Sequence, residues 1–94
     1  MKKRLKLKVG QVVRIKSKEA IDAWATSFNP TLGGFVNDLE SFFFPAERLY
    51  LCGMEAKVCG VENKFNKTLY TLEVKGGRIS DMYFIRGWLE KVNE

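Results

Sequence analysis

Met54-Glu55-Ala56-Lys57-Val58-Cys59 and Leu69-Tyr70-Thr71-Leu72-Glu73-Val74, joined across Asn63-Lys64-Phe65-Asn66-Lys67, decide the fold class of this 94-residue chain. In the first segment Met54, Ala56 and Val58 alternate with Glu55, Lys57 and Cys59, which is strand periodicity. The second is rich in aromatic and β-branched residues and puts Tyr70, Leu72 and Val74 on one face. Asn63–Lys67 reads as a hairpin connection, and Gly76-Gly77 is a second, two-residue hairpin signal. Met82-Tyr83-Phe84-Ile85 reads as the next strand. Gly87 breaks it, and Trp88–Val92 closes the domain through a 3₁₀ turn and a short last strand.

Working outward toward the N-terminus, Gln11–Lys16 is the first strand, with Val13 and Ile15 facing a core and Arg14 and Lys16 facing water. Ser17 is placed to cap a helix. Over residues 18–27, Ile21, Trp24, Ala25 and Phe28 then recur at helical spacing as one apolar stripe. Asn29-Pro30 ends that helix, and Gly33-Gly34 marks a turn. Between Phe35 and Phe44, Asn37 or Asp38 is expected to cap a second short helical turn, with Phe35, Leu39 and Phe42 or Phe43 packing inward. Pro45 suits a first helical position, so residues 46–51 read as one or two helical turns stopped by Gly53.

This gives a basic N-terminal arm at residues 1–8 and one domain at residues 9–94, with a helical insert over about residues 17–52. Several short strands joined by tight turns point to a mostly β fold, a small barrel or sandwich of about five strands. Closure would remove the sheet edges. The insert follows the first strand and is too long for an ordinary connection. It carries Trp24, Phe28, Phe35, Phe42, Phe43, Phe44 and Tyr50, seven of the twelve aromatic residues, which must pack on something. The open end of the barrel is the expected place.

Gly10-Gln11-Val12-Val13-Arg14-Ile15-Lys16-Ser17 resembles the opening of small SH3-like barrels found in the mind-bomb-type repeat and in uncharacterised proteins of phages and gut bacteria. In that pattern a helix-forming insert follows the first strand. A short helix ending in a motif similar to Leu51-Cys52-Gly53 leads into the second strand. The pattern closes on an aromatic strand like Phe84-Ile85-Arg86-Gly87-Trp88-Leu89-Glu90. The resemblance spans most of residues 9–92. Gln11, Gly87 and Trp88 depart from it. It implies an SH3-like barrel acting as a small binding module without catalytic residues.

Composition narrows the function. The chain has no histidine, which removes the commonest general base and zinc ligand. Two cysteines, Cys52 and Cys59, cannot complete a four-ligand zinc site, so no metal or cofactor is expected. In a reducing compartment they read as free thiols packed as small apolar residues. Cys–His and Ser–His nucleophile pairs are impossible within the chain. Asp38 with Glu40 and Glu47 with Glu55 read as solvated carboxylates. Gly33-Gly34 and Gly76-Gly77 lack the strand–loop–helix context of a phosphate loop. No catalytic residue is assigned, and an enzyme is not expected. No apolar run reaches the ~20 residues a membrane span requires. Leu5-Lys6-Leu7-Lys8 alternates where a signal peptide would be continuously apolar, so the cytoplasm is the default location.

The net charge of +5 is unevenly placed: residues 1–18 hold eight basic side chains and no acid. Residues 19–55 hold Arg48 against Glu19, Asp22, Asp38, Glu40, Glu47 and Glu55. Two functional readings follow. In the first, Trp24, Phe28, Tyr83 and Trp88 line an aromatic groove for a protein or extended peptide, and the acidic insert favours a basic one. Phe42, Phe43 and Phe44 add a self-association patch, because three consecutive rings cannot all face one core; a homodimer would bury it. In the second, Lys6, Lys8, Arg14, Lys16, Lys64 and Lys67 track the phosphates of a nucleic acid, and Phe65 stacks a base. Ile15, Val58, Leu72 and Phe84 are assigned to the core.

Overall fold

Strand β1 (Val12–Ile15) forms where the sequence alternates, and Val13 and Ile15 are fully buried. In the computed structural model, which describes residues 7–64, 66–75, 77–79 and 82–92, β1 is an interior strand of an antiparallel five-stranded sheet. Its other members are β5 (Glu55–Lys64), β6 (Lys67–Val74), β7 (Gly77–Arg78) and β8 (Leu89–Lys91), in the order β7-β6-β5-β1-β8. Before β1, Gly10 adopts φ +94° and donates its N–H to Val58 O at 2.7 Å. Gln11 closes the same turn, its Oε1 accepting from Lys8 N at 3.0 Å. Leu7 is buried, and its N–H donates to the Tyr70 hydroxyl at 3.2 Å. Residues 1–6 lie outside the described residues.

Ser17 caps helix α1 (Lys18–Trp24): its hydroxyl accepts from Ala20 N at 3.2 Å. The helix buries Ile21 but stops at Trp24, before the end of the apolar stripe. Thr26 then donates its N–H to Val36 O at 2.7 Å, and Phe28 lies in strand β2 (Ser27–Asn29). Sheet pairing thus takes the backbone groups a longer helix would have needed.

The segment expected to hold a second helical turn is a β-hairpin. Strands β3 (Gly34–Asn37) and β4 (Phe42–Pro45) pair antiparallel with each other, and β2 pairs with β3, giving a second sheet in the order β2-β3-β4. Phe35, Val36 and Phe42–Phe44 favour extended backbone. The turn between them is closed by Asn37, whose Oδ1 accepts from Glu40 N at 2.9 Å, with Ser41 at φ 55°. The insert is therefore a helix plus a small sheet, with helical structure resuming in the 3₁₀ segment Ala46–Leu51.

The strand-rich architecture stands, but the sheet is not a closed barrel. Among the described residues, edge strands β7 and β8 do not pair with each other. Met82–Ile85 contributes one bridge, Tyr70 to Phe84, where a full strand was expected. The long β5–β6 hairpin forms where expected and shifts register between Val58 and Gly60. The last strand follows a 3₁₀ turn at Arg86–Trp88. No helix among the described residues is long and apolar enough to cross a membrane.

The two sheets meet over Trp88, which is 0% exposed. Its ring centroid lies 4.8 Å from Phe44, 5.2 Å from Trp24, 5.3 Å from Phe42 and 5.9 Å from Phe84. Three of these contacts are edge-to-face, the geometry the ring quadrupole favours, each adding about 0.5–1.5 kcal/mol beyond area burial. Ile15, Val58, Leu72 and Phe84 are all fully buried in the same core.

Candidate functional site

The β3–β4 hairpin sorts its three consecutive rings. Phe35 stands opposite Phe44, Val36 opposite Phe43 and Asn37 opposite Phe42. Because side chains alternate across a strand, Phe42 and Phe44 go inward to Trp88 and Phe43 goes outward. Phe43 covers the backbone of Gly34. A Cβ at position 34 would collide with the Phe44 carbonyl oxygen and stand 2.6 Å from Phe43 Cζ. Only glycine admits the ring that closely, an aromatic covering a glycine across the strand.

Phe43 and Val36 are continued on this outer face by Leu32, from the β2–β3 loop. Leu32 is held there by Asn29, whose Oδ1 accepts from Leu32 N at 2.9 Å, and it remains 63% exposed. Together these residues wall a shallow, open depression of about 430 Å³, with Asn37, Asp38 and Ser41 at one end and Phe42 also in its lining. Thr26 fixes that end. Its hydroxyl accepts from Asp38 N at 3.0 Å and lies 3.1 Å from Val36 O and 3.3 Å from Asp38 Oδ2. Asn37, buried beneath, donates Nδ2 to Trp24 O and so ties the hairpin to the end of α1. The depression therefore rests on satisfied hydrogen bonds. Beside it Leu39, at the hairpin tip, is 89% exposed.

Glu19 to Glu47, which holds the whole small sheet, contains five acids, Asp38 and Glu40 among them in the β3–β4 turn, and no lysine or arginine; Lys18 opens α1, and Lys67 lies over the ring of Phe42, which also lines the depression. Among the described residues no cationic side chain pairs with Asp38.

The four residues expected to line one groove do not come together at the surface. Trp24 and Trp88 are in edge-to-face contact, but Trp88 is completely buried and serves as core, which removes it as a contact residue. Phe28 packs on Phe35 at 5.0 Å and is half-exposed at the rim of the small sheet. Tyr83 has the Lys64 ammonium over its ring at 5.4 Å. Of the three rings assigned to self-association, Phe44 is buried, Phe42 packs on Trp88 while also lining the depression, and Phe43 faces outward. Leu32, Val36 and Ser41 were not singled out by sequence, and Asp38 was read as a helix cap or a solvated carboxylate. The signal available was alternation from Gly34 to Asn37, obscured by the expected helical turn.

Two basic residues, Arg14 and Lys64, are in ion pairs among the described residues. Arg14 is opposite both Glu55 and Glu90 in the sheet and bonds Glu55 Oε2 at 3.1 Å. The next row runs Lys57, Glu73, Arg78 across β5, β6 and β7, alternating in sign. Lys64 pairs with Glu62 at 3.4 Å. The Glu62 carboxylate, with Tyr83 beside it, holds the Lys64 ammonium above the ordinary lysine value. Lys67 lies over the Phe42 ring at 6.0 Å. Lys8 is exposed and Lys16 half-buried, while Lys6 and Phe65 lie outside the described residues.

Neither cysteine is in a disulfide. Burial, then the Glu19 carboxylate, pushes the Cys52 thiol up, which disfavours the nucleophilic thiolate. Among the described residues no group of three or more cysteine, aspartate or glutamate side chains is placed to hold a metal ion. No family model, no curated protein and no solved structure matches this chain significantly.

Proposed function

We propose that this chain is a non-enzymatic binding module that recognises a protein or peptide partner through the outer face of its small sheet. The observation that carries this reading is the depression walled by Leu32, Val36 and Phe43. It presents apolar surface on a face whose alternate side chains have already been used to build the core. Its volume lies within the range of ligand pockets, about 300–1,000 Å³. Its polar groups are few and fixed in place by Thr26 and Asn29. The five-stranded sheet supports an SH3-like framework for this module. The long first connection lies between neighbouring strands β1 and β5, and β8 returns to the far side of β1.

Nucleic-acid binding has less support. Arg14 and Lys64 are in ion pairs, and the rows across the large sheet alternate in sign. A phosphate-tracking face needs unmatched cations converging on one side.

The test is site-specific photocrosslinking in cells. A benzophenone amino acid is placed at position 32, or at position 73 on the large sheet as control. A discrete adduct from position 32 and none from position 73 is the expected result. Adducts from position 73 alone, or from neither position, would count against this assignment.

A further inference from the structure

The chemistry of the partner follows from the charge around the depression, given the reading above on which it rests. We infer that the outer face of the small sheet docks a cationic segment carrying large apolar side chains. An apolar side chain of the partner seats over Val36 and Phe43, and a lysine or arginine pairs with Asp38.

Three observations carry this. The depression is apolar through Leu32, Val36 and Phe43 and becomes polar at Asp38 and Ser41, so an occupant needs apolar and polar groups in neighbouring positions. Asp38 presents a carboxylate whose one side-chain partner is the Thr26 hydroxyl, and no cation of the chain neutralises it among the described residues. Glu40 follows Asp38 in the same turn and adds a second carboxylate, while Lys67 lies over the Phe42 ring and is not paired with Asp38. A cationic partner is attracted over a distance of about a Debye length, ~10 Å at 0.1 M salt.

The same charges argue against a second copy as the occupant. A two-fold contact would set this face against itself. Asp38 and Glu40 of both copies would then be drawn into one interface, and like charges brought together across an interface oppose association.

The experiment titrates the full chain into three fluorescein-labelled decapeptides and follows anisotropy. All three alternate leucine with one polar residue: lysine, serine or glutamate. The lysine peptide is expected to bind, to weaken as salt rises from 50 to 300 mM, and to lose affinity about three- to fivefold in Asp38→Asn, the scale of one exposed ion pair. That variant keeps a side chain able to meet the Thr26 hydroxyl, and circular dichroism checks its fold. Equal binding of all three peptides, abolished by Leu32→Ser/Val36→Ser, would overturn the cationic assignment and leave the binding face standing. Binding of the lysine peptide that is indifferent to Leu32→Ser/Val36→Ser and to Asp38→Asn would overturn both, as would no binding by any peptide. Sedimentation of the protein alone tests the remaining occupant. A dimer abolished by Leu32→Ser/Val36→Ser would assign the face to a second copy and overturn the inference.

Discussion

Trp88 stands edge-on to Phe44, ring centroids 4.8 Å apart and planes at 82°, and this contact joins the two sheets. Phe44 belongs to the small sheet, and Trp88 leads directly into β8 of the large one. The outer face of the small sheet is therefore held in place by what its inner face grips. Trp88→Ala is expected to lose about 3–5 kcal/mol of stability in denaturant titrations, the cost of emptying a large core site. Trp88→Phe should lose less. It keeps an aromatic ring and removes an indole N–H that is buried without an acceptor among the described residues. Equal losses for the two variants would contradict this role.

Gly34 is the point where Phe43 meets the sheet backbone. Gly34→Ala places a methyl group against the Phe44 carbonyl oxygen and the Phe43 ring. The backbone oxygen cannot move aside cheaply, so a loss of about 1–3 kcal/mol is expected, typical of overpacking. It should be accompanied by a change in the depression, read as reduced binding of the leucine–lysine peptide. A neutral or stabilising effect would mean that Phe43 does not cover Gly34.

Cys52 makes stability sensitive to alkali. Its folded pKa is raised above the ordinary 9.0 by burial first and by Glu19 second. The folded state thus retains a proton that the unfolded state releases. The stability from this group is present in full below pH 9.0 and is lost as pH rises through the folded pKa. Denaturant midpoints should fall above pH 9.0 in the wild type and fall less in Cys52→Ala. Identical alkaline profiles would contradict the burial of the thiol.

Arg14 and Lys57 lie in charge-alternating rows, facing Glu55 with Glu90 and Glu73 respectively. Replacing either with glutamine should leave the salt slope of any DNA binding unchanged to within about half a unit. A drop of about one unit per substitution is the signature of a lost phosphate contact and would place nucleic acid on this face.

Sequence was most legible where one local signal dominated. Alternation located β1 and the first half of β5, and Ser17 announced its cap. Gly87 and Trp88 correctly marked a 3₁₀ turn before the last strand. It was least legible where two periodicities fit the same residues. Ile21, Trp24 and Phe28 suit one helical face, yet Phe28 pairs with Phe35 in a sheet, because the deciding partner lies across the following turn and outside the helical repeat. Asn37 was read as a helix cap. Its side chain does accept a backbone N–H three residues on, but in a hairpin turn. That local bond is common to both structures, so the residue type alone did not separate them. The proposed binding face was hidden for the same reason: Leu32, Val36 and Phe43 become neighbours only once β3 and β4 pair. Trp88 illustrates the converse. An aromatic residue near a chain end resembles a groove wall, and only the convergence of four rings identifies it as core.

The central claim, that the outer face of the small sheet is the binding surface, is tested most directly by amide chemical-shift mapping. The ¹⁵N-labelled chain is titrated with the leucine–lysine decapeptide. The account predicts shifts concentrated at Leu32, Val36, Asp38, Ser41 and Phe43, with Arg14, Lys57 and Glu73 unmoved. Shifts concentrated on Arg14, Lys57 and Glu73, with the small sheet silent, would contradict it.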